Sequence, residues 1–249
     1  MARQNGILKI EGTIGGMTFY KTKDGHLVKE KSSISADKIA NDPAFQRTRE
    51  NGKEFGNAGS AGKVLRDAIR TLMLTASDGR VTSRLTQVMT DVLKQDLTSL
   101  RGERTVAIGV GTPEGKALLV GFDFNILASL GGILFKSFAL DTATGVISIN
   151  NIIPLNDIDF PSGATHFTVK GAFAKVDFAN GVSAVEYTNV INLPIDATST
   201  NVVLTPAAVP AGAATSIYLL QIEFFQEVNG VQYTLKNGAY NALTIIEVA

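Results

Sequence analysis

The chain contains no cysteine and no tryptophan, and only two histidines, His26 and His166. Without cysteine there are no disulfides, thiolate zinc sites, iron–sulfur clusters or cysteine nucleophiles. Two histidines are too few for a histidine-rich metal site, and they make most histidine-based catalysis improbable. No stretch of 18 apolar, charge-free residues occurs, so no transmembrane helix is expected. The run from Ile126 to Phe138 is too short to span and is interrupted by Ser129, Gly131 and Gly132. The opening MARQNGILKIEGTIGG has no apolar run of the length a secretory signal needs, so none is expected. Compartment stays open between the cytoplasm and an extracellular or particle-associated place reached by a non-classical route. Net charge is absent too: 23 basic side chains balance 23 acidic ones. Whole-chain attraction to nucleic acid or anionic lipid is therefore disfavoured.

What is present suits a folded protein. Of 249 residues, 45% are hydrophobic and 18% charged, enough for a packed core. The charge is unevenly placed. Residues 1–104 carry 18 Lys/Arg and 12 Asp/Glu, whereas residues 105–249 carry 5 and 11. Composition shifts near Gly102, from helix formers to Val, Ile, Phe and Asn. Opposite halves can attract within one chain, or the basic part of one subunit can meet the acidic part of the next, giving rings or filaments. Nucleic-acid binding by the basic half is a third reading.

Three segments follow: an N-terminal β-meander over 1–36, a helical hairpin over 37–101 and a β-sandwich over 102–249. In the first, Ile7–Ile14, Met17–Thr22 and His26–Lys31 read as strands, joined at Gly15-Gly16 and Asp24-Gly25, dipeptides that tolerate positive φ. So small a sheet has little core of its own and needs its own chain or a partner to pack on. In the second, Asp42-Pro43 marks a helix start. Phe45 and Phe55 are candidate anchors. Gly52, Gly56, Gly59 and Gly62 either lie along one helix side, open to a close neighbour, or break the helix near 56–59. Apolar residues at helical spacing predict helices over Lys63–Thr75 and Arg80–Leu97.

In the third segment, Thr105–Val110 reads as extended, and Phe122, Phe124 and Phe135 as buried. Strands are predicted over Val146–Ile149, Thr165–Phe173, Ala184–Ile191, Asn201–Leu204, Ser216–Glu227, Val231–Leu235 and Ala242–Val248, with Asn229-Gly230 a hairpin turn. The fold class expected is α+β, its last part an antiparallel immunoglobulin-like sandwich lacking the Trp and Cys hallmarks.

Motifs for chemistry fall short. Gly56–Lys63 misses a phosphate loop by one residue and has Val64 where a magnesium ligand belongs. Gly109–Gly115 misplaces the third glycine of a dinucleotide loop and is broken by Pro113, so a solvent-facing turn is expected. Asn156–Asp159 supplies too few oxygens for calcium and reads as a solvated loop. His166 is expected on a polar strand face with no Gly-x-Ser-x-Gly nucleophile, and His26 at an exposed turn.

Three stretches resemble an uncharacterised family of Bacteroidota-type proteins. They are the glycine-punctuated opening (Gly6, Gly12, Gly15, Gly16, then Phe19-Tyr20), the helix start Asp-Pro-Ala-Phe-Gln-Arg-Thr-Arg-Glu-Asn at 42–51, and Val-Gln-Tyr-Thr-Leu-Lys-Asn-Gly-Ala-Tyr-Asn-Ala-Leu at 231–243. That family has no established activity, so the resemblance implies no catalytic residue.

The reading that results is a non-enzymatic structural subunit that assembles with copies of itself into a filament, surface layer or phage-like particle. No cofactor, metal or membrane insertion is expected, and no small-molecule ligand is indicated. Gly15, Gly16, Phe19, Tyr20, Arg47 and Arg49 are the candidate assembly contacts. The alternatives are a sandwich module binding carbohydrate or protein, and nucleic-acid binding through the basic half.

Overall fold

The computed structural model describes residues 2–31, 34–212, 214–235 and 238–249. Ser32 and Ser33 of the expected first segment, and Lys236 and Asn237 of the closing motif, lie outside the described residues. Helices combine with several antiparallel sheets, an α+β fold. Contacts divide the chain into two units, Met1–Arg49 and Glu50–Ala249.

The first unit carries strands β1 (Ala2–Arg3), β2 (Gly12–Ile14), β3 (Met17–Thr22) and β4 (Gly25–Glu30). They form one antiparallel sheet in the order β1-β4-β3-β2. Gly15 and Gly16 both have positive φ, +55° and +83°, and Ile14 pairs with Met17, so a two-residue turn closes the hairpin. The strand expected over Ile7–Ile14 is realised only in its last three residues. Residues 4–11 instead cross from one edge strand to the other. Helix α1 (Ala36–Asn41) follows, its first turn capped by Ser35, whose hydroxyl accepts the Lys38 N–H at 3.1 Å. Asp42 then accepts the Ala44 N–H at 2.9 Å and Pro43 opens a 3₁₀ turn to Phe45. This turn leads into helix α2 (Gln46–Ala68).

Helix α2 runs unbroken through Gly52, Gly56, Gly59 and Gly62. Only Gly62 among them meets another element: a Cβ there would lie 3.6 Å from Leu85 Cγ, while the other three face open space. Helices α3 (Arg70–Met73) and α4 (Val81–Leu93) follow. Then come the short helices α5 (Val106–Gly109), α6 (Pro113–Ala117) and α7 (Leu130–Ile133). The extended segment expected at 105–110 is thus α5, and the turn expected at 109–115 faces solvent at Gly111, Pro113 and Glu114 but is buried at Gly109, Val110 and Gly115. Gly109 and Gly115 are where it packs: a Cβ on Gly109 would fall 2.0 Å from the Val92 carbonyl oxygen, and one on Gly115 2.0 Å from the Gly109 carbonyl oxygen. Thr105 and Thr112 cap the two helices with their hydroxyls.

The remaining elements are β5 (Ala139–Asp141), β6 (Val146–Ile152), α8 (Pro154–Asp157), β7 (His166–Asp177), β8 (Val182–Tyr187), β9 (Ile191–Pro194), β10 (Thr200–Leu204), β11 (Thr215–Val228), β12 (Val231–Thr234) and β13 (Ala242–Val248). Strands β7 and β11 pair antiparallel from Thr215↔Val176 to Phe225↔His166 and form the middle of a six-stranded sheet. Strands β12 and β13 flank β11, and β8 and β9 flank β7. A second sheet has the order β10-β6-β5.

Alternation along β7 and β11 sorts two cores. Phe167, Val169, Leu220, Ile222 and Phe224 cluster with Ile147, Ile149, Val202 and Leu204 of the smaller sheet. Ala172, Ala174, Val176, Ile217 and Leu219 cluster with Leu65, Ile69, Leu85, Met89 and Val92 of the helices. A strand covered on both faces favours a near-continuous apolar run, and β11 is buried without interruption from Ile217 to Phe224, with Gln221 and Glu223 the polar residues in that run, both hydrogen-bonded to the helices. The boundary expected near Gly102 therefore falls inside one unit, whose helices and strands share a core. Phe122 and Phe124 are buried as expected, but Phe135 is 61% exposed and Phe55 63% exposed.

Candidate functional site

Titratable side chains of the second unit gather in three places, and in each the carboxylate is held by internal partners. Glu54 on α2 is buried and receives Arg104 through two hydrogen bonds of 2.7 and 2.8 Å, plus the Gly102 N–H at 2.7 Å. The Arg104 guanidinium lowers the Glu54 carboxyl pKa, against the opposing effect of burial, and Glu54 in turn raises Arg104. Asp96 is 1% exposed. Its Oδ1 accepts the Thr98 hydroxyl and the Thr98 and Ser99 N–H groups, and its Oδ2 accepts the Thr105 N–H at 3.1 Å. Burial pushes this carboxyl up, yet the donors from Ser99, Thr105 and Thr98 outweigh it and hold it far below the usual carboxylate range. These bonds fix the 96–105 loop against α2.

Asp78 is the second centre. It pairs with Arg84 and accepts the Arg80 and Ile126 N–H groups at 2.6 and 3.0 Å. Arg84 also donates to the Asp123 and Phe124 carbonyls and stacks 5.1 Å from the Phe122 ring centroid. The third centre joins the sheet to the helices. Glu223 accepts the Thr75 hydroxyl and pairs with Lys170 at 3.0 Å. Gln221 donates to the Leu72 carbonyl and the Thr75 hydroxyl, both at 2.9 Å.

Thr165, His166 and Glu227 stand in the order of a nucleophile, a base and its orienter. Thr165 Oγ1 lies 3.0 Å from His166 Nδ1, and His166 Nε2 lies 3.6 Å from Glu227. The Thr165 hydroxyl also accepts the Glu227 N–H at 2.7 Å, which ties it to the neighbouring strand. The Asn156–Asp159 stretch is not a free loop. Its first two residues end α8, and Asp157 accepts the Ile153 N–H at 2.8 Å. Nor does His26 sit at an exposed turn: it lies within β4, half-buried, 3.9 Å from Glu11. Among the described residues, no group of three or more acidic or histidine side chains is placed to hold a metal ion. No helix among them is long and apolar enough to cross a membrane.

The first unit differs in kind. None of its described residues is buried. Phe19, opposite Gly12 and Val28, and Tyr20, opposite Leu27 with the Lys29 ammonium 5.6 Å from its ring centroid, are half-buried. Gly15 and Gly16 make the turn of the same hairpin. These four residues share one hairpin, with Phe19 and Tyr20 on opposite faces of the sheet. Arg47 is exposed at the start of α2, whereas Arg49 is engaged locally, donating to the Ile39 and Asp42 carbonyls at 2.8 and 2.9 Å.

The most exposed aliphatic side chains of the unit are ones the sequence reading placed in a strand. Ile7 and Leu8 project from the crossing segment at 102% and 84% exposure. Gln4 clamps the base of this segment: its side-chain amide donates to the Ile10 carbonyl at 3.2 Å and accepts the Ile10 N–H at 3.0 Å. Lys9 closes it further with a 2.5 Å bond to the Gln4 carbonyl. Gly6 and the polar Gln4-Asn5 pair were the available signal for a loop here. With this geometry described, no family model, curated protein or solved structure matches the chain.

Proposed function

We propose that this protein is a non-enzymatic structural subunit that self-assembles through its N-terminal unit into a filament, surface layer or phage-like particle. The observation that carries the reading is the absence of any buried side chain among the described residues of Met1–Arg49, beside exposed Ile7, Leu8, Ile10, Ile14 and Met17. A four-stranded sheet without an interior gains little from folding alone, and contiguous exposed aliphatic surface marks an interaction site. Charge gives the direction. Residues 1–49 hold nine basic and five acidic side chains, and residues 50–249 hold 14 and 18. A contact between unlike patches of two copies is heterologous and propagates. The second unit is the rigid body of this subunit. Its two sheets around Phe167 and Phe224 are read as an immunoglobulin-like sandwich backed by helices.

Light-scattering mass across a concentration series, at low and high salt, tests the proposal. The expected result is a mass above 26.4 kDa that rises with concentration and falls with salt. A monomer at every concentration and ionic strength overturns it.

A further inference from the structure

Resting on the self-assembly reading, we infer that the Ile7–Leu8 loop of one copy docks on an acidic, apolar patch of the second unit of the next copy, around Phe135 and Leu155. The donor side is a built projection. Gln4 and Lys9 tie the loop base, so its two aliphatic side chains are held out at little further cost in chain entropy on binding. Both side chains are fully or largely solvated before contact, so their burial removes apolar surface from water.

The acceptor side forms where three chain segments meet. The Phe135 N–H donates to the Asp157 carbonyl at 2.8 Å, the Asp159 N–H to the Ile133 carbonyl at 2.9 Å, and the Leu155 N–H to the Asp196 carbonyl at 3.0 Å. Phe135 and Leu155 stand 61% and 51% exposed there, on segments whose backbones meet at Asp157, Asp159 and Asp196. Lys136 pairs with Asp157 at 3.7 Å. The patch thus pairs apolar surface with net negative charge. The loop and its sheet present aliphatic side chains with a net positive charge, Arg3, Lys9, Lys21, Lys23, Lys29 and Lys31 against Glu11, Asp24 and Glu30. Complementary charge favours this partner over a like patch and speeds the encounter. The occupant is a second copy of this chain, because both halves of the match belong to it.

The test replaces Leu8 by p-benzoylphenylalanine in the full chain and irradiates an equal mixture of isotopically light and heavy protein. The expected result is light–heavy cross-links from position 8 to peptides containing Phe135 or Leu155. Light–heavy cross-links confined to other segments, or none from an assembled sample, overturn the docking while leaving self-assembly standing. Cross-links confined to single chains at monomeric mass overturn both. Independently, Asp159→Lys and Leu155→Ser are expected to raise the midpoint concentration of assembly at least tenfold, with circular dichroism unchanged. Val231→Ser, at an equally exposed valine of another surface, is expected to leave it unaltered. Equal midpoints for all three variants and the parent overturn the docking.

Discussion

Replacing Gly109 by alanine sets a methyl group 2.0 Å from the Val92 carbonyl oxygen, a backbone atom that cannot move aside. Gly109→Ala is expected to destabilise the second unit by about 3 kcal/mol or more through forced separation of α4 and α5. Gly56→Ala, exposed within α2 and facing open space, is expected to stabilise by about 1 kcal/mol. Denaturant titration of both variants distinguishes a packing glycine from an incidental one. Asp96 makes a different residue-scale claim. Its folded pKa lies below the unfolded value of about 4, so its contribution is full at neutral pH and is lost as pH falls through the acid range. Glu54 has the same sign. Asp96→Asn turns one acceptor oxygen into a donor facing the N–H groups of Ser99 or Thr105. A loss of about 2 kcal/mol at pH 7 is expected. The loss shrinks as pH falls below 4, and chemical denaturation at several pH values checks it.

Elements of the second unit were legible where a period had room to show. β7, β11 and β13 combine alternation or unbroken apolar runs with turn dipeptides, and Asn229-Gly230 adopts positive φ at both residues, +52° and +78°. Helices α5, α6 and α7 have four or five residues each, hardly more than one turn, too few for a 3.6-residue period to register. The strand expected over Ile7–Ile14 shows the converse error: alternating aliphatic residues satisfied the pattern, but no partner strand lies beside the first five. The Gln4 clamp depends on a side chain reaching six residues along the chain, which no periodicity encodes. The candidate contacts Gly15, Gly16, Phe19 and Tyr20 were legible as one hairpin, whereas the local role of Arg49 needed α1, itself unforeseen. At this scale the N-terminal strands are expected to exchange amide hydrogens readily in dilute solution, being poor in buried contacts, while β7 and β11 are protected. Hydrogen-exchange mass spectrometry at rising concentration is expected to show protection growing over residues 12–30 as assembly proceeds. Unchanged exchange there, in a sample of high mass, places the contact elsewhere.

For the whole molecule, the compositional shift near Gly102 marked a change of local structure and not an edge of packing. Helix formers and strand formers sit on opposite sides of it, yet Leu65, Leu85 and Met89 share a core with Ala174 and Leu219. A sequence reading sees segments, whereas a core is defined by what covers what. One sheet serving two cores predicts a single cooperative transition for residues 50–249, because neither the helices nor the smaller sheet keeps a buried face without β7 and β11. Coincident unfolding curves from far-ultraviolet circular dichroism and tyrosine fluorescence are the expected result, and separated midpoints contradict it.

The position of β11 in the chain has a consequence during synthesis. The strand that both cores need occupies residues 215–228, and β13, which pairs with it, lies at 242–248. The helices leave the ribosome far ahead of the surface that will cover them, so their apolar stripe must wait, exposed, for most of translation. The Ile7–Leu8 loop emerges ahead of the helices, long before its own chain has matured into something a neighbour can hold. Chaperone occupancy of the nascent helices, and growth of any polymer only from finished subunits, follow from that order of emergence.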